Sequence, residues 1–267
     1  MIHQAVSDLI FKLDAFCPAE TPVIQWGAPI PAFGNAYRSR VATLGLNPSN
    51  REFVDTSGQE LDGTLRRFHS LRSLGLSRWN EANNTHVAKI ILSCKRYFQG
   101  NPYDTWFRQL DHLLSGISAS YYGDTSTACH LDLVPYATSC KWTSLTKEQR
   151  AKLVHISRGF FTKLLKHSPI KILVLNGRSV VKHFETISEF KLKMSIRPEW
   201  ALNRGSNSQV LGYSYCGIIN RVANDELNRD ILVLGFNHNI QSSFGVTQRV
   251  RDSIRDWITE QAKEMTP

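Results

Sequence analysis

The chain alternates between two hydrophobic patterns, one with the spacing of an amphipathic helix and one made of short apolar runs. Helical spacing occurs in seven segments, which are 2–16, 61–74, 81–98, 103–115, 146–167, 178–187 and 247–263. Runs rich in branched apolar residues predict four strands, at 40–46, 128–134, 170–175 and 231–235. Strands that alternate with helices are typical of a mostly parallel sheet covered on both faces. We therefore predict an α/β fold with a four-stranded, mostly parallel central sheet and helices on both faces.

Two segments depart from this alternation. Residues 18–37 contain four of the ten prolines and two glycines, which predicts an irregular loop. Residues 191–222 place a polar stretch before a more apolar one, and this predicts a polar loop or hairpin inserted before the last strand. Because the sequence has no internal repeat, low-complexity tract or obvious linker, we predict one domain over residues 1–267.

Compact polar residues follow the predicted strands. They are Asn47-Pro48-Ser49, Asp132 to Tyr136, Asn176-Gly177-Arg178 and Asn237-His238-Asn239. In an open parallel sheet, ligands bind outside the carboxyl ends of the strands. Asn, Gly and Pro also follow strands for backbone reasons alone, so a simple turn remains the alternative for each group. Four such groups together favour one cleft with a shared site.

The charge of the chain indicates the class of partner. Lys and Arg number 32 against 23 Asp and Glu, a formal charge of +9, which favours a polyanion such as nucleic acid. The hydrophobic share of 42% excludes a disordered or collagen-like protein. The longest apolar run, Ile231 to Phe236, is far shorter than the roughly 20 residues of a membrane-spanning helix, so we expect no membrane partner.

The five cysteines bear on compartment and cofactors. They are odd in number, widely spaced and without a Cys-x-x-Cys pair. This pattern favours reduced thiols in a cytoplasm and argues against a zinc ribbon or an iron–sulfur cluster. Asp8, Lys12 and Asp14 interrupt the region where a secretory signal would be apolar. We therefore expect a cytoplasmic protein with no metal, no cofactor and no obligate protein partner.

Three segments resemble motifs of the uracil-DNA glycosylase superfamily. Residues 44–49, Leu-Gly-Leu-Asn-Pro-Ser, resemble its first motif, an apolar strand that ends in Gly-x-Asn-Pro-Gly. Residues 234–243 resemble the second motif, although its His-Pro-Ser has become His-Asn-Ile here. Residues 130–136 lie where the superfamily has a strand ending near a base-reading Asn. The resemblance covers about residues 24–262. It implies a uracil-DNA-glycosylase-like fold and an enzyme that flips a nucleotide from the duplex and hydrolyses its sugar–base bond.

The resemblance also implies roles for individual residues. Asn47 would position the attacking water, and His238 would donate a ring N–H to O2 of the leaving pyrimidine. Such a donor acts on charge that develops in the transition state, and its loss typically costs about 3 kcal/mol. Phe53 would stack on the flipped base, and Asn239 would contact it. The residues expected to contact the DNA backbone are Ser49, Arg66, Arg67, Arg178, Gln241 and Ser242.

Asp132 is the informative departure from the superfamily. In uracil-specific members the comparable residue is an Asn, whose amide donates to O4 and accepts from N3–H. A carboxylate only accepts hydrogen bonds, so it would repel O4 of uracil and accept from the exocyclic amine of cytosine. Each mismatched group costs about 1–3 kcal/mol. Asp132 therefore favours a cytosine-type base, the alternative being a structural acceptor at the strand end.

A glycosylase that removed ordinary cytosine would destroy the DNA of its host, so the target must be a modified cytosine that the host lacks. Bacteriophages with glucosylated hydroxymethylcytosine supply one. We predict a monofunctional DNA glycosylase that releases this base from phage DNA and leaves abasic sites as antiviral defence. The alternatives are a uracil or mismatch repair glycosylase and a catalytically inactive reader of modified DNA. An unrelated α/β hydrolase is disfavoured because Gly-x-Ser-x-Gly and the other signatures are missing.

Overall fold

The protein forms one six-stranded mixed sheet. The computed structural model describes residues 2–15, 20–123, 126–204, 208–241 and 245–264. The strands are β1 (Val41–Gly45), β2 (Ala128–Asp132), β3 (Ile172–Asn176), β4 (Lys193–Arg204), β5 (Ser208–Val222) and β6 (Asp225–Phe236). Their order across the sheet is β2-β1-β3-β6-β5-β4. The predicted α/β class is confirmed, but the sheet has six strands where the sequence predicted four.

The four predicted strands form the parallel half of this sheet. β1 pairs in parallel with β2 on one side and with β3 on the other, and β3 pairs in parallel with β6. Gly45 lies opposite Asp132, and Asn176 lies opposite Phe236. The carboxyl ends of all four strands therefore meet at one edge, followed by the polar residues that the sequence places there.

The segment inserted before the last strand is a pair of sheet strands. β5 is antiparallel to β6, and β4 is antiparallel to β5 at the edge of the sheet. A hairpin, one of the two predicted alternatives, is observed within residues 191–222, but its strands extend the sheet, which the sequence did not predict. The physical reason is the half-solvated character of an edge strand, which leaves Met194 and Ile196 exposed and mixes polar with apolar positions.

Helices cover both faces of the sheet. They are α1 (Ile2–Ala15), α2 (Leu71–Leu74), α3 (Asn84–Lys95), α4 (Asp104–Leu114), α5 (Lys147–His167), α6 (Arg178–Ser188) and α7 (Gln248–Lys263). Leu173 and Leu175 pack into one core with α1, α5 and α6, while Val174 faces a second core with α4 and α7. Within the described ranges, no helix combines the length and the apolar character that a membrane crossing requires.

The predicted helix over 61–74 is mostly absent. Only Leu71–Leu74 is α-helical, and Gly63–Leu65 forms a short 3₁₀ turn. Between them Arg66 and Ser70 have extended backbones, and Arg67 Nε donates to the backbone oxygen of Asn101 at 2.8 Å. This tertiary hydrogen bond holds the segment in a non-helical conformation that its apolar spacing does not reveal.

Candidate active site

A cleft of about 660 Å³ opens at the carboxyl ends of the parallel strands. It is lined by one polar residue from each strand end: Asn47, Asp132, Asn176 and Asn239. The convergence that the sequence predicts is therefore present. Aromatic rings form much of the remaining lining, namely Phe33, Tyr103, Trp106, Phe107 and Trp142. A concave, largely apolar cleft with a few converging polar groups is the usual form of a small-molecule or nucleotide site.

Asn47 is held in the cleft by hydrogen bonds of its amide nitrogen. Its Nδ2 donates to Thr138 Oγ1 at 2.9 Å and to the backbone oxygen of Pro48 at 3.0 Å. Thr138 in turn donates to the backbone oxygen of Cys140 at 2.7 Å, which fixes the hydroxyl as an acceptor for Asn47. Among the described residues, Asn47 Oδ1 has no hydrogen-bond donor. The amide is therefore oriented so that this oxygen can accept a hydrogen bond from water in the cleft.

Asp132 is buried at the end of β2 and lies beside His130. Its Oδ1 is 3.5 Å from His130 Nε2, and both side chains line the cleft. Gly45 lies opposite Asp132 on β1. A Cβ on Gly45 would collide with the Asp132 carboxylate and would come within 3.0 Å of His130 Nε2. The glycine of the first motif thus makes room for the two polar side chains of the neighbouring strand.

Glu52 is a second buried carboxyl group in the cleft, and the sequence did not single it out. It is only 3% exposed, and the Tyr97 hydroxyl donates to its Oε2 at 2.9 Å. Burial, and to a smaller extent the charge of Asp132, raises the pKa of Glu52 to about 7 against the opposing effects of Arg67 and Tyr97. Its sequence context, an Asn-Arg-Glu turn after the first motif, gave no signal that separates it from a surface carboxylate.

His238 does not contribute to the cleft in the predicted way. It is buried, is not among the residues that line the cleft, and donates from Nε2 to the backbone oxygen of Trp200 at 2.7 Å. Trp200 belongs to β4, which the sequence did not predict as a strand of the sheet. Because the Nε2–H is bound to the main chain, this N–H is not directed at a base in the cleft. The neighbouring Asn239 does line the cleft, and its Oδ1 accepts from the N–H of Gln241 at 3.1 Å.

Phe53 lies in the core and not in the cleft. It is 2% exposed, and its ring meets Trp26 edge-on with the centroids 5.7 Å apart. It also packs closely against Gly27. The structure therefore does not place Phe53 where it could stack on a base in the cleft, because the turn after the first motif directs this ring inward. The exposed or half-buried rings of Tyr103 and Trp106 border the cleft in its place.

Arg66 and Arg67 do not form the predicted phosphate-binding helix end. Arg66 Nη1 lies 3.9 Å from Asp62 Oδ1, and neither arginine lines the cleft. Arg67 Nη1 donates to the backbone oxygen of Arg51, and its guanidinium lies 5.7 Å from the centre of the Tyr103 ring. These contacts follow from the extended backbone at this point, and they give Arg67 a structural role beside the cleft.

Gln241 connects two elements of the fold. Its Oε1 accepts from Asn176 Nδ2 at 2.8 Å, and its Nε2 donates to the backbone oxygen of Trp106 at 3.3 Å. These bonds join the end of β3 to α4, so the side chain is not free for the predicted DNA contact. Ser242, predicted to contact DNA, lies outside the described residues.

The remaining predicted DNA contacts lie on the surface. Ser49 is exposed and lines the cleft, and Arg178 is exposed at the start of α6. Arg51 and Lys141 also line the cleft, and sequence reasoning missed both. Nothing in their local sequence distinguishes them from the other 30 lysines and arginines. The net charge of the chain does not show which of these residues line the cleft.

The described part of the chain contains no group of three or more His, Cys, Asp or Glu side chains that could hold a metal ion.

Comparison with known proteins does not assign the chain to a family. No protein-family model matches the chain, and no curated protein matches it. The relation to the uracil-DNA glycosylase superfamily therefore remains a prediction from the motifs.

Proposed function

We propose that the chain is a monofunctional DNA glycosylase that hydrolyses the bond between deoxyribose and a flipped, modified pyrimidine. One observation carries the proposal, namely that an Asn with an unoccupied carbonyl oxygen and a buried carboxylate face the same cleft. These are Asn47 and Asp132. The strand order β2-β1-β3-β6 and the Gly-Leu-Asn-Pro-Ser motif after β1 support a uracil-DNA-glycosylase-like fold.

The chemistry assigned to Asn47 is the orientation of water. A water that donates to Asn47 Oδ1 would be held below the anomeric carbon of a nucleotide whose base enters the cleft. As the bond to the base breaks, its electron pair leaves with the base, the sugar becomes oxocarbenium-like, and the water oxygen forms the new bond to carbon. The new C–OH2 group then loses one proton to solvent, and the departing base, which carries the electron pair, takes up one proton from solvent. A weakly basic amide is sufficient because the electrophile carries positive charge.

Asp132 supports a cytosine-type base. Its carboxylate would accept from the exocyclic amine and would repel the O4 of uracil. A cleft of about 660 Å³ exceeds the needs of an unmodified pyrimidine, which supports a base with a large substituent such as glucosylated hydroxymethylcytosine. Release of this base from phage DNA would leave abasic sites that block replication, so the biological role that we propose is antiviral defence.

A base-release assay tests the proposal. Purified protein is incubated with DNA that contains uracil, with DNA that contains hydroxymethylcytosine, and with phage DNA that contains the glucosylated base. Mass spectrometry detects the free base, and alkaline cleavage detects abasic sites. Release confined to the phage DNA is expected. Release of uracil alone would make the protein a repair enzyme and would refute the role assigned to Asp132.

One observation favours a second candidate, a reader of modified DNA without turnover. His238 donates to the backbone oxygen of Trp200, so the donor that the superfamily places at O2 of the leaving base is committed elsewhere. A reader would bind the phage DNA tightly and release no base. The same assay, combined with a measurement of binding, separates this candidate from the enzyme.

A further inference from the structure

A chain of buried hydrogen bonds runs from the core to the cleft through three side chains. The Tyr121 hydroxyl and Thr43 Oγ1 are 2.5 Å apart, and Thr43 Oγ1 is 2.7 Å from His130 Nδ1. Tyr121 and His130 are each 1% exposed, and Thr43 is fully buried. Such a chain has only a few proton arrangements that satisfy every member.

The position of each proton follows from Tyr121, the member at the buried end of this series of hydrogen bonds. Among the described residues, the Tyr121 hydroxyl has no hydrogen-bond partner other than Thr43, so its proton must go to Thr43 Oγ1. Thr43 then donates its own proton to His130 Nδ1. The reverse arrangement would bury the Tyr121 proton without an acceptor, which is unfavourable. Neutral His130 therefore accepts at Nδ1 and carries its proton on Nε2.

The ring of His130 is also fixed in orientation. Its centroid lies 5.0 Å from that of Trp106 with the planes at 77°, and 5.4 Å from those of Phe33 and Phe107. The missing side chain of Gly45 leaves the space next to Nε2 open. A ring held by three aromatic neighbours and one buried hydrogen bond presents its N–H in one direction.

This N–H lies beside the Asp132 carboxylate. The distance of 3.5 Å between His130 Nε2 and Asp132 Oδ1 is longer than the usual 2.9–3.0 Å of an N–H···O hydrogen bond. The two groups therefore form a fixed donor next to a fixed acceptor, both on the lining of the cleft. At this distance the two groups do not form a full hydrogen bond with each other. They are complementary to a ligand that presents an acceptor to His130 and a neighbouring donor to Asp132.

We propose that His130 reads the flipped base together with Asp132, with Nε2–H donating to N3 of a cytosine-type base whose exocyclic amine donates to Asp132. The inference rests on the proposed function, and it names the second half of the reading site. Asp132 alone would leave the N3 acceptor of cytosine without a donor from the protein. Uracil carries a proton on N3, which would meet the proton of His130, so the pair would disfavour uracil at two adjacent atoms.

The test measures selectivity, because a merely structural role of His130 would change overall activity and leave selectivity unaltered. For each variant, kcat/KM for base release and Kd for duplex binding are measured on duplexes with glucosylated hydroxymethylcytosine and with uracil. His130→Phe removes the donor, and Thr43→Val removes the hydroxyl that fixes the proton. Thr43→Ser keeps that hydroxyl, and His155→Gln alters an exposed imidazole as a matched control.

We expect His130→Phe to lower the preference for the cytosine-type base about tenfold or more, the effect of one unpaired buried group. Thr43→Val should lower it in the same direction, while Thr43→Ser and His155→Gln keep the wild-type ratio. Wild-type base release with an unaltered ratio in His130→Phe would overturn the inference and leave the glycosylase proposal intact. If the wild type releases no base, the proposed enzyme is wrong and the Kd ratio decides the inference. Should His130→Phe not fold, the two Thr43 variants give the answer.

Discussion

Replacing Glu52 by glutamine should stabilise the protein at alkaline pH and have little effect at acidic pH. Glu52 is buried and receives a hydrogen bond from Tyr97, which the amide oxygen of glutamine can also accept. Because burial raises the pKa of Glu52 to about 7, the folded chain retains a proton that the unfolded chain has already lost. The unfolding free energy of the wild type therefore decreases as the pH rises from about 4.5 to about 7.

The size of the effect follows from the same two pKa values. The interval from 4.5 to about 7 corresponds to about 3 kcal/mol, at about 1.4 kcal/mol for each pH unit. Between pH 5 and pH 8 the wild type should lose about 2–3 kcal/mol through this one group. Glutamine does not ionise, so Glu52→Gln should avoid this loss. Other titrating groups are shared by the two proteins and cancel in the comparison.

Urea unfolding followed by tryptophan fluorescence at pH 5 and pH 8 measures the difference. Glu226→Gln, at an exposed position, is the matched control and should behave as the wild type at both values. Asp132→Asn should lower the pKa of Glu52, since the charge of Asp132 helps to raise it, and should therefore reduce the pH dependence. A stability difference between Glu52→Gln and the wild type that is equal at pH 5 and pH 8 would refute the reasoning.

Four further predictions concern the cleft and its surroundings. Asn47→Ala should lower base release by at least about a hundredfold with DNA affinity retained, and unchanged turnover would remove Asn47 from the water-orienting role. His238→Leu should lower the unfolding free energy by about 1–3 kcal/mol, since it leaves the Trp200 oxygen without its donor. A large loss of turnover at unchanged stability would instead support a catalytic role for His238. Gly45→Ala should destabilise by about 1–3 kcal/mol and impair selectivity through its collision with Asp132, which thermal unfolding and base release measure together. Rising salt should weaken DNA binding, with a slope of about 0.9 in log Kd against log salt for each phosphate contacted, and a flat response would argue against a nucleic-acid partner.

The sequence predicts well those features that depend on local pattern. The four parallel strands were recognisable because each is a short buried run, and the strand ends followed from them. Asn47 and Asp132 line the cleft because the sheet topology brings the residues after parallel strands together. Six of the seven predicted helices match observed α-helices within three residues at each end, and five of these match within one residue.

Features that depend on burial and on distant partners could not be predicted. His130 and Glu52 are ordinary polar residues in the sequence, and only tertiary packing makes them buried groups of the cleft. His238 lies after the predicted strand as expected, but its ring is bound by Trp200, on a strand that the sequence left as an inserted hairpin. The contact that holds the His238 ring therefore could not be predicted without the position of β4 in the sheet.

The arrangement of β1 has a consequence for how the chain folds. Val41 pairs with Ala128 on one side and with Ile172 on the other, so the central strand finds both neighbours far away in sequence. The antiparallel strands β4, β5 and β6 follow one another closely in the sequence and can pair locally. Non-local parallel pairing is slow, whereas hairpins form early. We expect β4, β5 and β6 to pair first and β3 to dock on β6 before β1 joins β3 and β2, so that the cleft, with Asn47 in its lining, is completed in the final stage of folding.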